Sequence, residues 1–273
     1  YTPGSVFKII TLGAALDSNT DSLSTTFSGS QASGPLTVDG HTYPSTINNL
    51  NDCGGRVIVP PITLEEALVC SDNLTFASVG LQLGSGRFLD YAHRFGLGQQ
   101  IPFDIPVSVS RTGTISDRVA LAGSSFGQGS LYVTPLQMML ATEAVADSGS
   151  IPQPVLVKQV TAPDGSVVKG EQSGTLFSPI SAAAAADVRT AMTEVVQRGT
   201  GVLAQIPGVS MAGKTGTAET SDGGLPHAWF VSFAPADHPK VAVVVMVEHG
   251  GEGAYVAAPL AKQIMQAALA IVH

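Results

Sequence analysis

Apolar positions recur at helical spacing in separated blocks along the first two thirds of the chain and become strand-like after them. Behind Pro3-Gly4-Ser5, the residues Val6, Phe7, Ile9, Ile10 and Leu12 form one apolar face and predict a helix over residues 3–16. The same period returns over 74–83, 86–95 and 136–146. It returns again over 180–197, where Ser178-Pro179 opens the segment and Gly199 closes it. Thr63 with Glu66 three residues on reads as a capping box for a helix over 64–69. Three strand-like runs follow at 209–218, 227–234 and 241–248, and then an amphipathic helix at 257–272.

Between residues 18 and 55 the period fades into Ser, Thr, Asn, Asp and Gly, which predicts a long irregular segment. Short hairpin strands are expected there around 37–43, turning at Asp39-Gly40. A second hairpin is expected over 154–168 about Pro163-Asp164-Gly165. Strands joined by short turns, with helices before and after them, predict an α+β fold: an antiparallel sheet with helices on both faces. Beside it stands a mostly helical, loop-rich lobe over about 18–146, which leaves 1–17 and 147–273 to the sheet lobe.

Composition narrows the function classes. The 273 residues carry 13 basic and 21 acidic side chains, a net charge of −8, with no Lys/Arg run to hold nucleic acid. Charged residues are 12% and hydrophobic ones 44%, which excludes a disordered chain. The most apolar run, 241–247, is far shorter than a membrane span of about 20 residues. The 257–272 stretch is broken by Lys262, Gln263 and Gln266. With no initiator Met or signal peptide, the chain reads as a fragment or a processed product. The two cysteines, Cys53 and Cys70, belong to no CxxC pair, and no HExxH or Cys/His cluster accompanies them, so neither metal nor other cofactor is expected. Their spacing suits one disulfide in an oxidising compartment and equally two separate thiols.

Three short motifs carry chemistry. Ser5-Val6-Phe7-Lys8 puts a hydroxyl and an amine on one helix face, where a lysine of lowered pKa can take the serine proton. Alone this says little, since Ser166-Val167-Val168-Lys169 fits the same pattern inside a hairpin. Ser71-Asp72-Asn73 joins two helical segments; a hydroxyl to relay protons and a carboxamide to hold a substrate amide would face a cleft while Asp72 points away, although all three residues also favour ordinary caps. Lys214-Thr215-Gly216-Thr217 sets a lysine inside an inner strand, with Gly216 permitting close approach of a ligand and the Thr217 N–H available to an oxyanion. All three occur together in this order, 66 and then 143 residues apart.

With these motifs the chain resembles, over almost its whole length, the transpeptidase domain of the penicillin-binding proteins, a serine β-lactamase/transpeptidase-like fold. YTPGSVFK resembles the family's nucleophile helix. Residues 125–129 with Val133-Thr134-Pro135-Leu136-Gln137 resemble its G-Q-G segment, and 212–219 with His227-Ala228-Trp229-Phe230 resemble its substrate strand and the next one. The CSDN sequence and the Ala-rich, acidic character are most similar to class B enzymes of the actinobacterial penicillin-binding protein A type.

The resemblance implies a cell-wall enzyme of cell shape or division. Ser5 attacks the D-Ala-D-Ala carbonyl of a peptidoglycan stem peptide, Lys8 is the base, and Ser71 relays a proton to the leaving amine. Asn73, Lys214, Thr215, Gly216 and Thr217 bind substrate, and the Ser5 and Thr217 N–H groups form the oxyanion hole. An amine of a second stem resolves the acyl-enzyme, whereas a β-lactam acylates Ser5 and stays. The family also implies two further sheet strands, a non-catalytic domain and a membrane anchor upstream of the nucleophile, an extracytoplasmic location, and divisome-type partners.

A D,D-carboxypeptidase and a non-catalytic β-lactam sensor are the alternative readings. A class A β-lactamase is disfavoured because no Glu lies between Glu66 and Glu143, and the loop 101–117 offers only Asp104 and Asp117. Trp229 reads as packing, Cys70 lacks a paired His, and Glu248-His249 reads as a loop pair near the cleft without a partner.

Overall fold

The structure, a computed structural model, describes residues 1–170, 174–220 and 222–272, with the Asn49 side chain left out. Gly4 adopts φ +57°, outside the helical region, so the chain enters as a 3-10 turn over Gly4–Phe7 and α-helical bonding begins only at α1 (Lys8–Asp17). Ser5 therefore lies on a tight turn and not on the α-helix expected for it.

The irregular segment is threaded by short elements: β1 (Thr26–Phe27), β2 (Leu36–Val38), β3 (His41–Tyr43), α2 (Ile47–Asn51) and β4 (Ile62–Thr63). β2 pairs with β3 across Asp39-Gly40, both at positive φ as a two-residue hairpin turn requires, and β1 pairs with β4. α3 (Leu64–Val69) follows, then α4 (Asn73–Arg94), α5 (Arg118–Ser125) and α6 (Pro135–Ala146). The two periods expected over 74–83 and 86–95 are one element, broken at Gly84, where φ is 76° and ψ is 158°.

Side-chain caps set most helix starts. Thr63, Asp72, Asp117, Thr134 and Ser181 each accept the N–H three residues on, about 1 kcal/mol apiece. Thr63 and Glu66 make only half of the expected capping box, because the Glu66 carboxylate turns instead to Arg56 and Arg198. Ser181 also moves the start of α7 (Ala182–Arg198) two residues past the expected one.

The small pairs β5 (Ile151–Pro152) with β8 (Thr175–Phe177), and β6 (Val160–Thr161) with β7 (Val167–Lys169), precede α7. The main antiparallel sheet then comes from β9 (Ala212–Ala218), β10 (His227–Ala234) and β11 (Val241–Val247), with β10 in the middle and β9 at one edge. β9 starts later than the apolar run because Val209 bridges to Ile206 and the Ser210 carbonyl accepts from Ala236. α8 (Ala257–Leu269) ends three residues short of the pattern.

Alternation along β10 divides the interior. Trp229, Val231 and Phe233 enter a large core with α1, α4 and α7, while Ala228, Phe230 and Ala234 enter a second core under α8. Helices therefore cover both faces of the sheet. α6, grouped by composition with the helical lobe, packs on β10 and β11.

Candidate active site

Lys8, the first residue of α1, and Lys214, in the edge strand β9, are both fully buried. Their amines converge on Ser71. Lys8 Nζ lies 3.0 Å from Ser5 Oγ, 3.2 Å from Ser71 Oγ, and 2.7 Å from both the Ser71 carbonyl and Asn73 Oδ1. Lys214 Nζ lies 2.8 Å from Ser71 Oγ and 3.0 Å from the Thr215 carbonyl.

Burial decides the charge state here. It lowers the Lys8 pKa from 10.5 to about 7, against the attraction of Asp72, which raises it. That shift corresponds to about 5 kcal/mol set against the ammonium form. Burial also pushes Lys214 well down, and the neighbouring Lys8 pushes it further. A neutral Lys8 has two N–H donors and one lone pair. The donors match the two carbonyl-type oxygens at 2.7 Å, which leaves the lone pair to accept from the Ser5 hydroxyl.

Ser71 sits at φ +59°, an unfavourable conformation for a non-glycine residue, between the end of α3 and the start of α4. Asp72, fully buried, turns away from the cleft to cap α4 through the Thr75 N–H and accepts from the Thr46 hydroxyl. A Cys53–Cys70 disulfide, with Cα atoms 5.0 Å apart, fastens the segment before Ser71 to the irregular loop. Arg198 adds to this support by reaching Glu65 and Glu66 on α3 from the end of α7.

The nucleophile turn packs directly on β9. A Cβ on Gly216 would stand 2.9 Å from the Val6 side chain and 3.1 Å from the Pro3 carbonyl, so what approaches this glycine is the chain's own nucleophile turn as well as the cleft. The Gly4 backbone lies against the Thr217 carbonyl, which brings Ser5 and Thr217 side by side, and the Gly4 N–H donates to Gly127 in the segment after α5. The Gly253 N–H donates to Thr217 Oγ1, leaving the Thr217 hydroxyl proton for a ligand.

A cleft of about 630 Å³ unites Ser5, Ser71, Asn73, Thr215, Gly216 and Thr217. The family model of the penicillin binding protein transpeptidase domain matches residues 1–266. The chain belongs to this family. It is 36% identical over 284 residues to the peptidoglycan D,D-transpeptidase PbpA of Mycolicibacterium smegmatis, covering 98% of this chain and 55% of that protein. PbpA of Mycobacterium tuberculosis is 34% identical over 281 residues with the same coverage. Among solved structures, an imipenem acyl-enzyme complex of M. tuberculosis penicillin-binding protein A superposes with a TM-score of 0.87 at 33% identity, covering 98% of this chain and 60% of that one. The D,D-transpeptidase domain of an Eggerthella lenta peptidoglycan glycosyltransferase gives 0.87 at 30% identity, covering 99% and 66%. The chain spans about half the length of the curated relatives it matches.

Sequence reasoning missed several residues of this transpeptidase-family cleft. Tyr43, Pro44 and Thr46 line it from the irregular segment, where Tyr43 donates to the Val119 carbonyl and meets Phe126 edge-on. Only the Asp39-Gly40 turn signal pointed there. Thr200, just past α7, shares a 2.7 Å hydrogen bond with the Thr215 hydroxyl. Among the described residues, Glu219 and Glu252 supply the formal charges in the lining.

The loop acids stand elsewhere: Asp104 holds Lys169 and the Leu156 and Val157 N–H groups, and Asp117 caps α5. Ser166 and Lys169 both lie on the β6–β7 hairpin, away from the cleft. His249 does have partners, contrary to expectation. Its N–H donates to His227 Nδ1, its ring lies edge-on to that imidazole, and the pair lines a neighbouring cavity. Trp229 is buried as expected and donates to the Thr2 carbonyl.

Proposed function

We propose that this chain is the acyl-transfer unit of a D,D-transpeptidase that cross-links peptidoglycan stem peptides and is acylated by β-lactams. The observation that carries this reading is the contact of Ser5 Oγ with a buried amine whose pKa is about 7. Lys8 accepts the Ser5 proton as Oγ attacks the carbonyl between the two terminal D-alanines. The N–H groups of Ser5 and Thr217 stabilise the oxyanion. Ser71, between the two amines, relays the proton to the departing D-alanine nitrogen. Asn73 Oδ1 is held by Lys8, so its NH₂ donates to the substrate amide. Lys214, Thr215 and Thr217 bind the terminal carboxylate. An amine of a second stem then displaces Ser5 and restores its hydroxyl.

The disulfide supports work outside the reducing cytosol. Among the described residues no helix is long and apolar enough to cross a membrane. The family resemblance extends the proposal to an extracytoplasmic protein anchored through a segment outside these 273 residues, with divisome-type partners. The test is the intact mass after incubation with penicillin, followed over hours beside Ser5→Ala. One stable drug mass on the wild type alone supports the proposal. No adduct, or one that turns over within seconds, overturns it.

A further inference from the structure

The segment 248–256, which links β11 to α8, is pinned to the sheet beside the catalytic cleft. The His249 N–H donates to His227 Nδ1 at 3.1 Å, the Gly251 N–H to the Pro226 carbonyl at 2.9 Å, and the Gly253 N–H to Thr217 Oγ1 at 3.2 Å. The last of these reaches a hydroxyl that the proposed site uses on the terminal carboxylate. A Cβ on Gly253 would stand 2.2 Å from the Gly216 carbonyl oxygen and 2.4 Å from that of Trp229. The segment therefore sits flush on the sheet, and its displacement is felt at Thr217.

One of these acceptors titrates. An imidazole nitrogen accepts only while it carries no proton, so His227 is neutral here with its hydrogen on Nε2. Protonation would turn a second N–H toward that of His249, and the bond would become a contact between two donors. Charged and titratable groups face the ring from each neighbouring element. The linker brings the His249 ring, at 4.9 Å, and Glu248. Tyr1, edge-on at 5.4 Å, brings its α-amino group and a hydroxyl bonded to Glu248. The β9–β10 connection brings Glu219 and Asp222, and Tyr132 lines the same cavity with Arg111 over its ring. Burial and the His249 ring lower the His227 pKa from 6.5; the Tyr1 amino group adds to this, while Glu248 and Asp222 oppose it.

We infer that His227 is a positioning residue of the acyl-transfer site: its neutral imidazole anchors the 248–256 segment and, through Gly253, sets the Thr217 hydroxyl for the substrate carboxylate. The inference rests on the transpeptidase reading, in which Thr217 binds that carboxylate. A histidine with a lowered pKa gives its anchor in full above pH 6.5 and loses it as pH falls through the folded value. Without the anchor the segment lifts, Thr217 Oγ1 loses its donor, and the hydroxyl turns freely.

The experiment reads the penicillin concentration that half-saturates acylation at pH 7.5 and pH 5, in wild type and in His227→Asn. Asparagine puts a non-titrating oxygen where Nδ1 stands and so keeps the acceptor. Lys8 and Lys214 titrate in both proteins, so the wild-type value divided by the variant value isolates His227. That ratio should be near one at pH 7.5 and about five at pH 5, the worth of one neutral hydrogen bond, with limiting rates equal within about twofold. His227→Phe fills the space without an acceptor and should stand about fivefold above His227→Asn at both pH values. His249→Asn keeps the main-chain donor and tolerates the positive φ of that position, so it should keep the wild-type step. A ratio within about twofold of one at pH 5, or a step lost in His249→Asn, overturns the inference. Should His227→Phe fail to fold, the comparison of wild type with His227→Asn decides alone. Failure of the wild type to form any penicillin adduct would instead sink the transpeptidase reading, and this inference with it.

Discussion

Lys8 Nζ and Ser5 Oγ are 3.0 Å apart across the junction of a 3-10 turn with α1, with the amine fully buried. Burial brings the Lys8 pKa to about 7, so near neutral pH the proposed base is divided between its two forms. Only the neutral amine accepts a proton. Penicillin acylation should therefore rise about tenfold per pH unit below pH 7 and level off above about pH 8. Lys8→Ala should lower the rate about 10²- to 10⁴-fold on the plateau above pH 8, with the gap narrowing as pH falls below 7. Stopped-flow acylation across pH 5–9 checks both, and a rate still rising tenfold per unit at pH 9 would remove Lys8 from the role.

The same shift sets the sign of a stability effect. An unfolded Lys8 keeps its proton to about pH 10.4, whereas the folded one releases it near 7. Between these values the unfolded state binds more protons, so stability from this group grows as pH rises and is lost as pH falls toward 7. The lowered Lys214 works in the same direction. Relative to Lys8→Met, which cannot titrate, the wild type should gain about 2 kcal/mol between pH 7 and 9. Urea melts at the two pH values measure it, and a constant difference would mean that Lys8 keeps an ordinary pKa.

Thr200 holds the Thr215 hydroxyl from outside the three recognised motifs. Thr200→Val keeps the shape and removes that partner. The Thr215 hydroxyl then rotates, and carboxylate recognition should weaken by about 1 kcal/mol, roughly fivefold in the half-saturating penicillin concentration. The limiting acylation rate should change less, because Ser5 and Lys8 do not touch Thr200. Saturation kinetics separate the two, and a loss confined to the limiting rate would refute the assignment.

Much of the site was legible because its chemistry is concentrated in short contiguous runs. Ser5 and Lys8 stand three residues apart across the join of the 3-10 turn with α1, Ser71 and Asn73 flank a cap, and Lys214 stands out as a lysine within a strand. β10 was bounded correctly because both of its faces enter a core, which writes a nearly continuous apolar run into the sequence. Tyr43, Thr200 and Glu252 were not legible. They reach the cleft through a hairpin packed on Val119, a bond to a neighbouring strand, and a loop pinned by Gly253, and none of these contacts leaves a periodic signal. The 3-10 turn at Gly4–Phe7 was missed for a different reason. Gly4 takes a positive φ to fit against Thr217, 213 residues away in sequence, and local propensity does not register that distance.

The disulfide joins the irregular loop to the residue before Ser71 across a separation of 17 residues. Closing a loop of that size in the unfolded chain contributes about 3 kcal/mol. The denatured protein should show no reactive thiol without reductant and two after reduction. Replacing both cysteines by serine should cost about 3 kcal/mol and slow acylation, because Ser71 loses the tether that holds its left-handed backbone. Thiol titration and denaturant melts test this, and two free thiols in the unreduced protein would end the argument.

Gly216 gives the sharpest test of how closely the nucleophile turn must sit on β9. A methyl there meets Val6 at 2.9 Å and the Pro3 carbonyl at 3.1 Å, with the Trp229 Cβ also at 3.1 Å. Val6 and Trp229 are fully buried and the carbonyl is backbone, so none of the three yields easily. The cheaper relief is for the turn to lift from the strand, which separates the Ser5 and Thr217 N–H groups. Gly216→Ala should therefore cost about 1–3 kcal/mol in stability and slow penicillin acylation by about 10²-fold, the scale of one lost oxyanion donor. Gly86→Ala, in α4 with nothing within 4 Å of the added Cβ, should be neutral or stabilising by up to about 1 kcal/mol. Parallel melts and acylation rates for the two variants distinguish a local clash at the oxyanion hole from a general intolerance of added methyl groups. Equal behaviour in the pair would show that the turn and the strand tolerate more separation than their contact distances imply.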